Sequence, residues 1–145
     1  MKRFLSAFGL AVIISSSAAH AQKISNKPQN DPKTTPAYSM LIQRKVKVQA
    51  ELESLLEEYG SEWPRAKTLQ FELDALKSEK RKMAAATEPK VSKLTTGYGS
   101  LILQKVALDA EIQTLLLEEG SDWPEVKDKQ RELELLDKEI QKVMK

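Results

Sequence analysis

Tyr59-Gly60-Ser61-Glu62-Trp63-Pro64 and, sixty positions later, Glu119-Gly120-Ser121-Asp122-Trp123-Pro124 decide the fold. Each reads as the tip of a helical hairpin. Gly after a helical stretch supplies the left-handed residue that ends a helix. Ser is a good cap for the helix that follows, and Pro is tolerated in a first turn, where its missing N–H costs nothing. The acid after Ser suits the positive end of the helix dipole. So short a loop makes the two arms antiparallel. At each tip the reading folds the indole back over the turn, onto Leu55 and Leu56 or Leu115 and Leu116. The alternative is an exposed anchor for a partner, since Trp is enriched at binding hot spots.

Outward from the tips, the chain is a duplication. A gap-free offset of 60 gives 21 identities in the 46 positions of 38–83 against 98–143. One supersecondary unit has been made twice. In the first copy Tyr38, Leu41, Lys45, Val48, Leu52, Leu55 and Tyr59 recur at steps of three and four. Tyr98, Leu101, Lys105, Leu108, Ile112 and Leu115 repeat the pattern. The second arms carry Leu69, Leu73, Leu76 and Met83, then Leu133, Leu136, Ile140 and Val143. That period is the stripe of a helix packed on other helices. Lys45 and Lys105 fall on the inward stripe, and each is read as laying its stem on the core with its ammonium in water. Tyr38 and Tyr98 are expected at the open end of the hairpins.

The fold expected is therefore all-α. Residues 38–86 form one antiparallel hairpin, 87–97 a linker and 98–145 a second hairpin. A hairpin of this size is too small to stand alone. The two should pack on each other as a four-helix bundle, or on the hairpins of a second chain as a homo-oligomer.

The N-terminus reads as an address. Lys2 and Arg3 precede an apolar run from Phe4 to Ile14, and Ala19-His20-Ala21 is a small-x-small cleavage pattern, so 1–21 is read as a secretory signal peptide cut near Ala21. The run is too short to span a bilayer, and no later segment could, so no membrane span is expected after cleavage. Export to the periplasm or beyond follows. Residues 22–37, with three Pro and three Lys, read as a disordered tether.

Cleavage changes the charge argument. The whole chain carries a net +2. Residues 22–145 hold 21 basic and 21 acidic side chains, so the net charge is zero and the case for a nucleic-acid partner fails. Residues 98–145 carry −4 against a basic remainder, so the two hairpins could meet through opposite charge, within one chain or between chains. Arg44, Lys45, Lys47, Lys77, Lys80, Arg81 and Lys82 are expected toward the open end of hairpin 1. A weak anionic-surface contact through Arg44, Lys47, Lys80, Arg81 and Lys82 is one use; helix-dipole service is the other.

Chemistry is narrowed by residue types. The chain has no Cys, and its one His, His20, lies in the segment expected to be removed. Thiol nucleophiles, Ser-His-Asp machinery and the usual zinc and haem sites are excluded on that reading. No cofactor is expected. Glu118, Glu119, Asp122 and Glu125 gather near the second tip, but their spacing is no calcium loop. Glycan hydrolysis would need two carboxylates about 5–10 Å apart in a cleft, which short hairpins make poorly.

The tip also carries a resemblance. Tyr59, Pro64, Leu69, Pro124 and Val126 match a Tyr-x-x-x-His-Pro-x-Val hairpin tip. It is similar to tips in the periplasmic coiled coils of polysaccharide chain-length determinant proteins and of some export adaptor proteins. Trp63 and Trp123 replace the His, and Glu119 replaces the Tyr. Those families also carry membrane helices, so their assembly activity does not transfer. A looser likeness is to small exported coiled-coil chaperones of the Skp type. The resulting expectation is a non-enzymatic exported protein that acts as a structural or protein-interaction module of the cell envelope, with a holdase chaperone as the alternative. The candidate interaction or turn residues are Gly60, Trp63, Pro64, Gly120, Trp123 and Pro124. The expected partner is a protein.

Overall fold

A computed structural model describes residues 31–145. The signal peptide expected at 1–21 and residues 22–30 of the expected tether lie outside the described residues. Four helices follow one another: α1 Pro36–Tyr59, α2 Pro64–Ala84, α3 Thr96–Glu118 and α4 Pro124–Met144. The fold is all-α, two tandem antiparallel hairpins packed together in one chain as a helical bundle. No helix among the described residues is long and apolar enough to cross a membrane.

Each hairpin starts in the same way. A short 3₁₀ turn, Pro32–Thr34 or Val91–Lys93, precedes a threonine cap. Thr35 Oγ1 accepts the Tyr38 N–H at 3.4 Å, and Thr95 Oγ1 accepts the Tyr98 N–H at 3.3 Å. Each hydroxyl satisfies one of the four orphan donors of a helix start. The repeat thus begins earlier than residues 38 and 98. Asp31–Ala37, read from the sequence as tether, is turn and helix: Asp31 caps the 3₁₀ turn, and Ala37 is buried. The linker likewise packs, burying Val91 and Leu94. Leu94 C=O accepts the Ala37 N–H at 3.3 Å, which ties the second hairpin's start to the first's.

At the tips, Gly60 and Gly120 have φ of +79° and +86°. The positive φ expected at both is present. The Gly60 ψ of 175° takes it past the left-handed helical region into one that essentially only glycine occupies. A Cβ there would meet nothing within 4 Å, so the demand for glycine is entirely one of backbone. Gly60→Ala is therefore expected to cost about 1–3 kcal/mol. Gly60→Asn should do no better, although Asn tolerates the ordinary left-handed region; urea melts of the pair check this. The expected serine caps are corrected. Trp63 and Trp123 occupy the N-cap positions, without a side-chain cap bond, and Pro64 and Pro124 open the helices. Ser61 and Ser121 lie in the turns.

Packing is unequal among the helices. α2 touches both α1 and α3, and α3 lies against α1 and α2 while also carrying α4. Having two neighbours, α2 buries Leu69, Leu73, Leu76 and Met83, and also Glu72 and Glu79. α4 packs chiefly on α3 and buries only Val126 and Ile140. The core runs from Leu41, Val48 and Leu52 through Leu69, Leu73 and Leu76 to Tyr98, Ile102 and Val106, and reaches Ile140 at the base. Burying each leucine contributes about 1.5–3 kcal/mol. Gly99 sets the closest approach. A Cβ on it would stand 2.9 Å from Ala37 Cα and 3.0 Å from Met40 Sδ, so only a glycine lets α3 settle on α1 here.

Candidate interaction site at the hairpin tips

The two tips lie at one end of the bundle. α3 runs in the direction of α1, and a hydroxyl–hydroxyl bond of 2.8 Å between Thr68 and Thr114 joins the hairpins just below both turns. Thr68 Oγ1 also lies 3.1 Å from Pro64 C=O, and Thr114 Oγ1 3.0 Å from Ala110 C=O; with one proton each, one hydroxyl donates to its backbone carbonyl while the other donates across the pair. A hydroxyl that both donates and accepts lets the buried Thr114 meet the half-buried Thr68 without an orphaned group.

Trp63 and Trp123 are each 46% exposed. Trp63 turns back onto its own hairpin, but onto the Tyr59 ring, with centroids 4.9 Å apart and planes 22° apart. The leucine cover expected of it is incomplete, since Leu56 stays exposed. In the second tip Glu119 stands where Tyr59 does, and Trp123 stacks on no ring among the described residues. Leu56, Tyr59 and Leu117 add exposed apolar surface at the same end. Among the described residues, five of the eight large exposed hydrophobic side chains therefore sit at the tips. A small recess of about 160 Å³ among Leu52, Leu56, Ala66 and Phe71 opens beside the first tip.

The tip charges are mostly engaged. Lys67 donates to Glu62 at 2.9 Å, and that bond holds the Glu62 carboxyl below its ordinary value. Asp122 faces Lys127 at 3.6 Å. Bonding with Glu58 holds the Tyr59 hydroxyl above the usual phenol value. Among the described residues no group of three or more carboxylates or imidazoles is placed to hold a metal ion.

The basic residues of hairpin 1 do not form one free patch. Arg44 binds Glu72, Lys77 binds Asp74, Lys82 binds Glu79, and Lys45 donates to Gln49 on its own helix. Lys105 differs from its counterpart Lys45, donating across to Asp137 of α4 at 2.5 Å. The pair that sequence reasoning missed is Arg44–Glu72. Glu72 is only 3% exposed and receives Arg44 Nε at 2.6 Å and Nη2 at 3.0 Å. That bonding raises the Arg44 pKa.

No family model matches the chain, and neither a curated protein nor a solved structure aligns with it.

Proposed function

We propose that the protein is an exported, non-enzymatic helical-hairpin module that binds another protein of the cell envelope through its tip end. The observation that carries this reading is the pair of half-exposed indoles at one end of the bundle, where Tyr59, Leu56 and Leu117 are also exposed. Apolar surface concentrated at one place on a small chain is characteristic of an interaction site. Trp and Tyr suit that use because each presents a large rigid face at low entropic cost. Export rests on the Lys2-Arg3 start, the apolar run and Ala19-His20-Ala21; N-terminal sequencing of the envelope protein should read from Gln22.

The tip reading is tested with a photo-crosslinking side chain at position 117 and with Trp63→Ala/Trp123→Ala. Wild-type chain should give a discrete adduct with an envelope protein, and the double variant should lose it while still melting cooperatively. An adduct that survives the double substitution would overturn the reading. Stability should separate the two indoles. Trp63→Ala should cost about 0.5–1.5 kcal/mol more than Trp123→Ala, because only Trp63 has an aromatic partner. Both should fall short of the ~3–5 kcal/mol of a fully buried ring.

A further inference from the structure

The interface between the two hairpins is used once within the chain, and both of its halves remain open at the ends. In the first half, α1 and α2 form a groove that α3 fills. Val48, Leu69, Glu72 and Leu76 line it and are buried. Their repeat counterparts are Leu108, Lys129, Glu132 and Leu136. These line an open groove of about 460 Å³ between α3 and α4, together with Gln104 and Ala107. In the second half, α3 presents Ile102, Val106, Ala110 and Thr114, all buried. Their counterparts on α1 are Ile42, Val46, Ala50 and Ser54. Val106 is 2% exposed, whereas Val46 is 60% exposed.

We infer that a second copy of this chain docks its α1 into the α3–α4 groove, continuing the contact that α3 makes with α1 and α2. The close-approach residues set the spacing of this junction. Inside the chain, Gly99 lacks the Cβ that would strike Ala37. Across the new junction Ser39 stands for Gly99, and Gly97 stands for Ala37. A Cβ in the Gly99 place meets the facing backbone Cα at 2.9 Å, so the Ser39 Cβ holds the two helices of the new junction farther apart than α3 and α1 stand within the chain. A Cβ on Gly97 would find only Thr95 Oγ1, at 3.8 Å, so that side of α3 is open. Lys129 in place of Leu69 makes the open groove more polar than the filled one, so the junction is weaker and reversible. Its ammonium is held in place by Glu111 at 2.8 Å.

Such a contact is heterologous, patch to different patch, and propagates as a ring or filament. It extends the stacking of helical-hairpin solenoids from within one chain to between chains. Every tip then faces the same side.

The test uses the full chain in the form cells accumulate. Sedimentation should show mass rising with concentration. Val46→Arg (α1 face blocked) and Ala107→Arg (groove blocked) should each remain monomeric while retaining wild-type helical circular dichroism. An equimolar mixture of the two should form dimers and nothing larger, because each variant keeps one working half. Lys129→Leu, which restores the leucine of the filled groove, should tighten association. A photo-crosslinker at position 104 should join to α1 of another copy. A wild-type monomer at every concentration would overturn the inference, as would association that ignores both arginines. So would a position-104 crosslink to residues 22–30 of the same chain or to a different protein. Trp63→Ala/Trp123→Ala should associate like wild type, which separates a failure here from a failure of the tip reading.

Discussion

Arg44→Leu should destabilise the protein by about 1–3 kcal/mol, the largest loss expected of any single charge removal here but less than that of a fully buried pair, because the Arg44 side chain is 37% exposed. The Glu72 carboxylate is almost fully buried, and both its oxygens are held by the Arg44 guanidinium. Without Arg44 an unpaired carboxylate stays in the space between α1, α2 and α3. Removing both partners is a different experiment. Arg44→Met with Glu72→Leu fills the volume with apolar atoms and is expected to be neutral or stabilising by about 1–4 kcal/mol. Gln104→Leu, at the repeat-equivalent site, should change stability by no more than about 0.5 kcal/mol, because Glu132 opposite is exposed. Denaturant melts of the three variants check the whole pattern. An Arg44→Leu loss no larger than the Gln104→Leu effect would show that Glu72 is hydrated in solution.

Leu69→Ala should cost about 2–5 kcal/mol. Leu69 has no exposed surface and sits on α2, which packs against both α1 and α3, so little can collapse into the space it leaves. Leu135→Ala should stay within about 0.5 kcal/mol, since that side chain lies exposed on α4. Both are leucines of a second arm, and helical periodicity alone would not rank them so far apart. Thermal unfolding of the pair measures the gap.

These contrasts mark what could be read before the structure. The turn chemistry was local, and so it was legible: Gly60 and Gly120 take positive φ, Pro64 and Pro124 open helices, and the arms between them are antiparallel. The caps were less so. Ser61 and Ser121 are the better capping types, yet the short turn brings Trp63 and Trp123 to the N-cap positions instead. Thr35 falls in the lysine-, asparagine- and proline-rich stretch read as tether and Thr95 in the stretch read as linker, so neither stands out from the sequence as a cap. The faces were least legible. Helical spacing shows that a stripe is buried, but which second stripe is covered depends on where the other hairpin lies. Periodicity thus gives no sign that Glu72 is buried, and it places Arg44 in a basic cluster, whereas the two pair beneath the crossing of α3. Likewise Trp63 is half-exposed because it lies on Tyr59, four residues before it, instead of reaching the leucines.

The uneven packing of α4 sets the order in which the molecule comes apart. α2 is held from two sides, and releasing it would open the core along its length. α4 is held chiefly by α3, with Val126 near its start and Ile140 near its end as its buried residues. It can peel away while α1, α2 and α3 keep their mutual contacts. The backbone of 124–144 is therefore the part of the helical core that first becomes available to solvent deuterium and to proteases. The partly open state is a three-helix body trailing one free amphipathic strand of chain.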